Sequence, residues 1–401
     1  MNLALDIRPA EIPLLASGRI KKGSRVLITG ATGFVGSRLA ETLSIQLGCV
    51  VYAMVRDYSR AIKLSHLPIH FIYGDLRNDS WQNHLPANID YVFHCAYGSS
   101  GSSRERRQTD LCGTKNLLQT MASRSLQKFI FLSTVSVFEQ KKEGIVDENS
   151  NLEPMDDYGR NKLWVENLIA LECEKLNIRY CVLRPSAIIG PGAPSYVNRI
   201  LKEIRAHIVV FLHRGEGKLN WIFIDDVVSA MINTACISVS DSKTYVLSNP
   251  VPLTYFEYYR ALARSVGEDF QYRFMDKHEN KKLIKKQKVS VIKIITSSID
   301  VKKLKPLMKF PWLSGPLGVL NKIRKALIKP QAKLKKQSPQ QIVRTLLPVP
   351  DEYAQFLSSE AVFISRHIIS DEVLSNFTSF EEAMWQIKQK SQWEASWQDL
   401  K

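Results

Sequence analysis

The 401-residue sequence predicts an α/β protein whose core is a parallel, doubly wound sheet. Two observations lead to this prediction. Short apolar runs alternate with helical stretches at the spacing of right-handed βαβ crossovers, and a glycine-rich turn joins the first apolar run to the first helix. Together they favour helices on both faces of the sheet and a phosphate-binding turn at its edge.

The glycine-rich turn belongs to the stretch Val26 to Gly36, which is typical of a buried strand, a turn and the start of a helix. Gly30 allows a tight turn, and Gly33 lets the backbone approach a pyrophosphate. Gly36 lets the helix pack closely against the strand. Because such a glycine triplet also occurs in ordinary turns, the prediction of a dinucleotide pocket depends on the rest of the chain.

The remaining elements follow from the periodicity of apolar residues. The first helix carries an apolar stripe formed by Leu39, Leu43 and Leu47. Strands are predicted at Cys49–Val55, Ile69–Tyr73, Tyr91–His94, Lys128–Leu132, Arg179–Leu183 and Trp221–Ile224. Helices are predicted at Asp110–Met121, Tyr158–Leu176, Ser195–Arg205 and Asp225–Ala235.

Composition excludes several classes of protein. The six cysteines have no CxxC or metal-type spacing, which predicts reduced, buried thiols in a cytoplasmic protein and no metal site. No run of 18 apolar residues predicts a spanning helix, and the N-terminal residues lack the features of a secretion signal.

The positive charge is confined to one segment. Residues 277–336 contain 18 Lys or Arg and only two acidic residues, whereas the rest of the chain has 37 basic and 37 acidic residues. Within this basic segment, residues 316–329 have apolar side chains at helical spacing among lysines and arginines. Such a helix fits an anionic membrane surface, or equally packs on the domain with its lysines in solvent. Nucleic acid is the least favoured partner, because no aromatic-rich RNA signature accompanies the charge.

Tyr158 and Lys162 are the first candidate catalytic residues. Four positions apart on a predicted helix, their side chains emerge on the same face. An ammonium near a phenol stabilises phenolate, so we expect Lys162 to draw the Tyr158 pKa towards the working pH. Ser133 and Thr134 end a predicted strand at the edge where ligands bind, so Thr134 and Tyr158 are expected to share one substrate oxygen. Taken alone, a YxxxK pattern is more often an ordinary surface pair.

With these residues in place, the chain resembles the extended short-chain dehydrogenase/reductases, also called the NAD-dependent epimerase/dehydratase superfamily. The resemblance covers about 240 residues and rests on motifs that occur in the family's order. They are TGATGFVG (29–36), GDL (74–76), VFHCAY (92–97), DLCGTKNLL (110–118), FLSTVSVF (131–138), YGRNK (158–162), RPSAIIGPG (184–192) and WIFIDDV (221–227).

The resemblance implies a Rossmann-type domain and hydride transfer to or from a nicotinamide. It implies that Tyr158 is the acid/base, that Lys162 holds the ribose and tunes Tyr158, and that Thr134 polarises the substrate. The residues implied in cofactor binding are Gly30, Thr32, Gly33, Phe34, Val35, Gly36, Arg56, Asp75, Leu76, Cys95, Ala96, Tyr97, Tyr158, Lys162 and Pro185. It also suggests a homodimer formed through the helices near residues 110–121 and 158–176.

Three positions depart from the family's usual pattern, since Asp110, Asn161 and Phe138 replace a common Asn, Ser and Tyr. None of these removes a residue that the chemistry requires. At the end of the second strand, Arg56 suits a 2′-phosphate and the following Asp57 suits a free ribose hydroxyl. We therefore favour NADP(H), with NAD(H) as the alternative.

The motifs also indicate a branch of the superfamily. Val135 and Ser136 occupy the positions where sugar dehydratases have an Asp-Glu pair, so dehydration is disfavoured. The stretch from Arg184 to Gly192 resembles the 3β-hydroxysteroid dehydrogenase and dihydroflavonol-reductase-like branch, whose substrates are bulkier and more apolar.

These observations combine into one prediction. Residues 1–23 are an extension, 24–249 a Rossmann domain in which 186–218 contribute to the substrate region, and 250–401 a smaller, mostly helical substrate-binding region. The protein is expected to interconvert a secondary alcohol and a ketone on a hydrophobic or lipid-linked small molecule, in the cytoplasm or peripherally at a membrane. The alternatives are a nucleotide-sugar epimerase and a cofactor-binding scaffold without catalysis.

Overall fold

The computed structural model describes residues 20–98, 101–139, 141–285, 345–347 and 356–399, together with Ile12 and Val349. Contacts within the chain divide it into two compact units. The first unit comprises Met1–Arg205, Gly215–Phe270 and Gln355–Lys401, and the second comprises Ala206–Arg214 and Gln271–Ala354. The boundary predicted between residues 249 and 250 stays a prediction.

A seven-stranded parallel sheet forms the core of the first unit. Its strands, numbered along the chain, are β1 (Arg25–Thr29), β2 (Val50–Val55), β3 (His70–Tyr73), β4 (Tyr91–His94), β5 (Lys128–Leu132), β7 (Tyr180–Pro185) and β12 (Lys243–Leu247). Their spatial order is β12-β7-β5-β4-β1-β2-β3, and every neighbouring pair is parallel. The doubly wound α/β fold predicted from the sequence is therefore confirmed, although β12 was not predicted.

The register of the central strands determines where a ligand can bind. Thr29 at the end of β1 pairs with Met54 of β2 on one side and with His94 of β4 on the other. The chain order reverses at β1, and in open α/β sheets the crevice outside the carboxyl ends at such a switch point is the ligand site. The glycine turn that follows Thr29 lies in that crevice.

Helices flank the sheet. They are α1 (Phe34–Glu41), α2 (Tyr58–Ala61), α3 (Ser103–Ala122), α4 (Asp157–Leu176), α5 (Arg199–Ala206), α6 (Ile224–Cys236), α7 (Tyr255–Val266) and α8 (Phe380–Asp399). Helix α3 begins seven residues before the predicted Asp110, because Ser102 and Glu105 form a reciprocal capping box at its start. A core cluster between the sheet and helices α3 and α4 includes Leu117, Phe129 and Ile169.

Two predicted helices are interrupted. Helix α1 ends at Glu41 and continues as a π-helical turn, Thr42–Gln46, so that Leu39 and Leu43 are fully buried while Leu47 is only half-buried. The helix predicted over 195–205 is likewise split into a π-helical turn, Pro194–Asn198, and α5.

Three two-stranded sheets complete the first unit. They pair β8 (Ala187–Ile189) with β11 (Trp221–Phe223), β10 (Lys218–Leu219) with β13 (Leu253–Thr254), and β6 (Ile145–Val146) with β16 (Val362–Phe363). The last pair joins segments more than 200 residues apart in sequence. Helix α8 packs through the ring of Phe380, whose centroid lies 5.7 Å from that of Trp221 and 6.3 Å from that of Tyr258.

The described part of the second unit contains a three-stranded parallel sheet in the order β14-β9-β15. Its strands are β9 (His207–Leu212), β14 (Tyr272–Met275) and β15 (Thr345–Leu347), and residues 277–285 are helical. The Asn280 side chain donates to the carbonyl of Val349 and accepts from its N–H, at 2.7 and 3.0 Å. The amphipathic stretch 316–329 lies outside the described residues.

The cysteines follow the prediction with one correction. Cys49, Cys173 and Cys181 are buried, Cys95 and Cys236 are half-buried, and all six are free thiols. Cys112 is exposed, contrary to the prediction, because its position on α3 faces away from the sheet side of that helix. Among the described residues, no helix is long and apolar enough to cross a membrane.

Candidate functional site

The glycine turn after β1 can be built only with glycine at two of its positions. Gly30 has φ +72°, and a Cβ atom there would lie 2.7 Å from the backbone N of Ala96. A Cβ on Gly36 would lie 2.3 Å from the carbonyl oxygen of Gly30. Gly33 is the N-cap of α1 and has no side chain to occupy the first N–H groups of that helix. The turn therefore presents backbone donors and the positive end of a helix to an anion.

A cleft of about 300 Å³ opens beside this turn, at the carboxyl ends of β1, β2, β3 and β4. Of the residues predicted to bind a cofactor, Gly30, Thr32, Gly33, Arg56, Asp75, Leu76, Cys95, Ala96 and Tyr97 line it. Phe34, Val35, Gly36, Tyr158, Lys162 and Pro185 do not belong to its lining. Residues that line it without having been predicted are Thr29, Met54, Val55, Arg60, Gly74, His94, Gly98, Thr109 and Asp110.

At the end of β2, two guanidinium groups face the cleft and the neighbouring carboxylate does not. Arg56 and Arg60 both belong to the lining, whereas Asp57 is absent from it. The Asp57 carboxylate instead caps α2, accepting a 2.9 Å hydrogen bond from the N–H of Ser59 that holds its pKa below the ordinary value. Arg60 was not predicted, because nothing in the sequence places the first turn of α2 beside the cleft.

The structure brings Thr134 and Tyr158 together, as predicted. Thr134 follows β5 and caps a short 3-10 turn, Val135–Val137, by accepting a 3.2 Å hydrogen bond from the N–H of Ser136, and its hydroxyl lies close enough to the Tyr158 phenol to oppose the rise of the Tyr158 pKa. Tyr158 lies in the first turn of α4, which Asp156 caps by accepting a 2.6 Å hydrogen bond from the N–H of Gly159. One substrate oxygen can thus meet both hydroxyls.

Burial raises the pKa of Tyr158 above its ordinary value, and the nearby Tyr97 phenol adds to the increase. This corrects the expectation that Lys162 lowers the Tyr158 pKa. The physical reason is that phenolate is poorly solvated in this environment, while the Lys162 ammonium donates to the carbonyl of Leu132 at 2.8 Å. A neutral phenol is a proton donor, which is the form needed to protonate a developing alkoxide.

Lys162 is buried between two aromatic rings, 4.7 Å from the centroid of Phe131 and 5.6 Å from that of Tyr97. Burial lowers its pKa to about 8, and the negative charge of Asp110 opposes that shift. Tyr97 also lies edge-on to Tyr158, with ring centroids 4.9 Å apart, and it lines the cleft. Tyr97 therefore connects the predicted catalytic residues to the predicted cofactor cleft.

Asp110 and Asn161, two of the positions that depart from the family pattern, contact each other. The Asn161 amide donates to one oxygen of the half-buried Asp110 carboxylate, and the N–H of Gly98 donates to the other at 2.7 Å. Burial raises the pKa of Asp110. The Asp110–Asn161 pair links α3 to α4 near Lys162. The two departures from the family pattern are therefore hydrogen-bonded to each other.

Two buried polar groups near the site were not predicted. His94 at the end of β4 contacts the hydroxyls of Thr29 at 2.6 Å and Thr114 at 3.0 Å, and burial lowers its pKa to about 3. The imidazole is therefore neutral. The Glu166 carboxylate accepts from the Arg184 guanidinium at 2.6 Å. No motif spacing indicates these roles, since they depend on contacts between different strands and helices.

Glu166 also accepts from the hydroxyl of Ser133, directly before Thr134. Because both Glu166 and Arg184 are buried, this network fixes the end of β5 against α4 and β7. The backbone that carries Thr134 is thereby held in position behind the site.

A second cavity, of about 130 Å³, is the candidate substrate pocket and is called the substrate pocket below. Thr134 and Tyr158 do not belong to its lining, which begins next to the predicted catalytic residues, at Val135 and Ser136 after Thr134 and at Ser186 after Pro185. The remaining residues that line it are Phe138, Glu139, Lys141, Met155, Asp156, Ala187, Tyr196, Lys218, Leu219, Asn220, Tyr255, Ser359, Ala361 and Phe363.

One wall of the substrate pocket comes from residues 357–363, called the strap below. The Ser359 hydroxyl donates to the carbonyl of Lys141 at 2.8 Å, and the Asn220 amide donates to the carbonyl of Ala361 at 2.9 Å. The strap thus closes the pocket from a distant part of the chain.

Among the described residues, no group of His, Cys, Asp and Glu side chains could hold a metal ion.

Comparison with known proteins places these features in context. The model of the NAD dependent epimerase/dehydratase family matches residues 26–242. A Xenopus laevis protein, short-chain dehydrogenase/reductase family 42E member 1, is 28% identical over 269 residues, which cover 61% of this chain and 68% of the relative. A 3 beta-hydroxysteroid dehydrogenase/Delta 5-->4-isomerase of Mycobacterium tuberculosis is 26% identical over 266 residues, covering 61% and 70%.

Solved structures resemble the fold at lower sequence identity. A UDP-glucuronic acid 4-epimerase from Bacillus cereus in complex with NAD superposes with a TM-score of 0.57 at 22% identity, covering 63% of this chain and 87% of that one. The epimerase Mth375 from Methanothermobacter thermautotrophicus has a TM-score of 0.61 at 14% identity and covers 94% of both chains. At these identities the likeness concerns the fold alone.

Proposed function

The chain belongs to the NAD dependent epimerase/dehydratase family, and we propose that it is an NADP(H)-dependent oxidoreductase. The sequence predicted both the enzyme class and the fold of this family. Its reaction interconverts a secondary alcohol and a ketone on a hydrophobic small molecule. The observation that carries this proposal is the proximity of the Thr134 and Tyr158 side chains, with Lys162 and Tyr97 beside them. Relatives that include a hydroxysteroid dehydrogenase support it.

The cleft suits a dinucleotide by the shape and chemistry of its residues. Gly30 lets the turn after β1 pass close to the backbone of Cys95 and Ala96, and the first turn of α1 offers backbone donors to a pyrophosphate. Asp75 and Leu76 line the cleft at the end of β3, where they would meet the adenosine. The Lys162 ammonium donates one hydrogen bond to the carbonyl of Leu132, so its other N–H groups can hold a ribose.

In this proposal the nicotinamide, when bound, supplies or accepts the hydride. Thr134 and Tyr158 bind the substrate oxygen, and the neutral Tyr158 phenol gives its proton to that oxygen during reduction. The phenolate that remains takes a proton from water before the next turnover. In the oxidative direction the phenolate form of Tyr158 takes the proton from the alcohol.

The cofactor preference follows from the end of β2. Two guanidiniums, Arg56 and Arg60, face the cleft, while Asp57 is engaged as the cap of α2. A guanidinium pairs well with a phosphate dianion, and the Asp57 carboxylate, which would suit a free ribose hydroxyl, is hydrogen-bonded to another partner. These contacts support NADP(H) over NAD(H).

The cofactor preference can be tested by titrating the purified protein with NADP⁺ and NAD⁺ in a calorimeter. We expect NADP⁺ to bind more tightly, and Arg56→Ala and Arg60→Ala each to weaken NADP⁺ about tenfold while NAD⁺ changes little. Arg104→Ala, an exposed arginine on α3, is the matched control. Tighter binding of NAD⁺ by the unaltered protein would contradict the preference.

The reaction type needs a separate experiment. NADPH deuterated at C4 is mixed with a panel of sterol and acyl ketones, and the products are analysed by mass spectrometry. Hydride transfer predicts one deuterium on the new carbinol carbon. Protein that retains NAD(H) through gel filtration and interconverts nucleotide sugars without added cofactor would instead indicate an epimerase.

A further inference from the structure

We infer that the substrate is an anionic amphiphile, with a ring-bearing apolar body and an acidic group that Lys141 and Lys218 bind. This inference rests on the proposed function, because it concerns what the substrate pocket accepts beside Thr134 and Tyr158. The ligand chemistry is shared by carboxylates and phosphate esters.

The apolar half of the inference comes from the walls of the pocket. Aromatic side chains approach it from separate parts of the chain, namely Phe138, Tyr196, Tyr255 and Phe363, and Met155 adds a flexible apolar side chain. Rings of this kind favour contact with flat or bulky apolar groups. A small polar metabolite would leave most of these surfaces in contact with water.

The anionic half comes from two half-buried lysines. Lys141 and Lys218 both line the pocket, one before β6 and the other in β10. Among the described residues, no carboxylate lies within 4 Å of either ammonium and no acceptor is hydrogen-bonded to it. Half-buried ammonium groups without a partner favour an incoming anion, because solvent satisfies them only in part.

Glu139 and Asp156 also line the pocket, and both carboxylates have hydrogen-bond partners. Asp156 caps α4, and Asn151 donates to Glu139 at 3.5 Å. Glu257 accepts from Thr254 in the capping box of α7, and these hydrogen bonds, followed by the charge of Lys218, hold its pKa below the ordinary value. The lysine charges are therefore not cancelled by a direct ion pair.

An independent observation points to a bound ligand. Ser186 is 7% exposed and lines the pocket, and its hydroxyl has no hydrogen-bond partner among the described residues. A buried hydroxyl without a partner is unfavourable, and such groups usually meet a water or a ligand.

The test uses the full chain saturated with NADP⁺ and two matched probes, 3β-hydroxy-5-cholenoic acid and its methyl ester. Binding is measured by calorimetry, and oxidation is followed by the absorbance of NADPH. We expect the acid to bind at least tenfold more tightly than the ester. Lys141→Met and Lys218→Met should each reduce that ratio, while Lys142→Met, an exposed neighbour, should leave it unchanged.

Prenyl diphosphate and UDP-glucose extend the comparison. Tight binding of prenyl diphosphate that depends on both lysines identifies phosphate as the acidic group. Tighter binding of UDP-glucose than of either amphiphile overturns the apolar half of the inference.

Equal affinities of acid and ester, or binding of none of these probes, overturns the anionic half. If the ester is oxidised as fast as the acid, the proposed function stands and the inference of an anionic substrate is rejected. Binding of the acid with loss of affinity in both lysine variants, but without any turnover of sterols or ketones, rejects the proposed function and keeps the inference.

Discussion

The cofactor cleft and the substrate pocket are built in different ways from the same chain. The cleft is lined by residues between Thr29 and Asp110, at the ends of strands that are neighbours in the sheet. The pocket is lined by residues between Val135 and Phe363, drawn from loops, short strands and the strap. In a parallel sheet the carboxyl ends of all strands lie at the same edge, so pairing alone brings the residues of the cleft together. The pocket depends instead on separate hydrogen bonds between distant segments.

The difference teaches where substitutions should act. A change in the glycine turn disturbs backbone contacts that the whole fold shares, and therefore affects stability and cofactor binding together. A change in the strap should alter the shape of the pocket and the packing of the small core cluster that contains Ala361. A change at Tyr158, which lies between the two regions, should affect the chemical step alone.

The largest effect is expected for Tyr158→Phe. Removing the phenol removes the proton donor, and positioned acid–base groups contribute roughly 10²- to 10⁴-fold to rate. We expect kcat to fall by that factor while the Kd for NADP⁺ changes less than about twofold, as measured by steady-state kinetics and calorimetry. The control is Tyr91→Phe, which makes the same change at the start of β4, where the Tyr91 hydroxyl donates a hydrogen bond to the Gln127 side chain. Unchanged turnover in Tyr158→Phe would falsify its catalytic role.

Gly36→Ala should produce the next largest effect. The added methyl would lie 2.3 Å from the carbonyl oxygen of Gly30, so α1 must move away from β1. Overpacking of this kind costs about 1–3 kcal/mol, and we expect that loss in urea unfolding together with at least tenfold weaker NADP⁺ binding. Gly33→Ala, whose Cβ would meet the same oxygen at 3.1 Å, should destabilise less. The reverse order would show that the turn tolerates a shift of α1.

Ala361→Trp tests the other region. The residue is buried in the strap and lines the pocket, so a large ring there should fill part of the cavity. We expect KM for a sterol-sized substrate to rise about tenfold while NADP⁺ affinity stays unchanged. Ile369→Trp, an exposed position outside the strap, serves as the control. If NADP⁺ binding weakened as much as substrate binding, the two regions would not be independent.

The smallest expected effect concerns pH. Burial lowers the Lys162 pKa to about 8, and the negative charge of Asp110 limits that decrease. Asp110→Asn removes the negative charge and lowers the Lys162 pKa further, so the ammonium is lost at a lower pH. The alkaline limb of the kcat/KM profile should shift to lower pH, with a roughly severalfold loss at pH 8 and little change at pH 6.

The control for this pH shift is Asp79→Asn, whose carboxylate contacts Asn116 away from Lys162. An alkaline limb that stays in place in Asp110→Asn would show that this carboxylate does not govern the charge of Lys162.

Particular residues show how far sequence reasoning reached. Gly30, Asp75 and Tyr97 were predicted to bind a cofactor and line the cleft, because local motifs specify strand ends and turns. Arg60 was not predicted, since its approach to the cleft depends on the short helix that Asp57 caps. The direction of the Tyr158 pKa shift was wrong, because burial depends on neighbours that spacing along a helix does not specify.

The sequence by itself determined the parallel sheet, the glycine turn and the three candidate catalytic side chains, because each depends on residues close together in the chain. Only the tertiary structure decided that Asp110 pairs with Asn161 and that the strap closes a pocket lined by two lysines. These features depend on contacts between segments up to 218 residues apart. Periodicity and local motifs carry no information about which of many distant polar groups will meet once the core is packed.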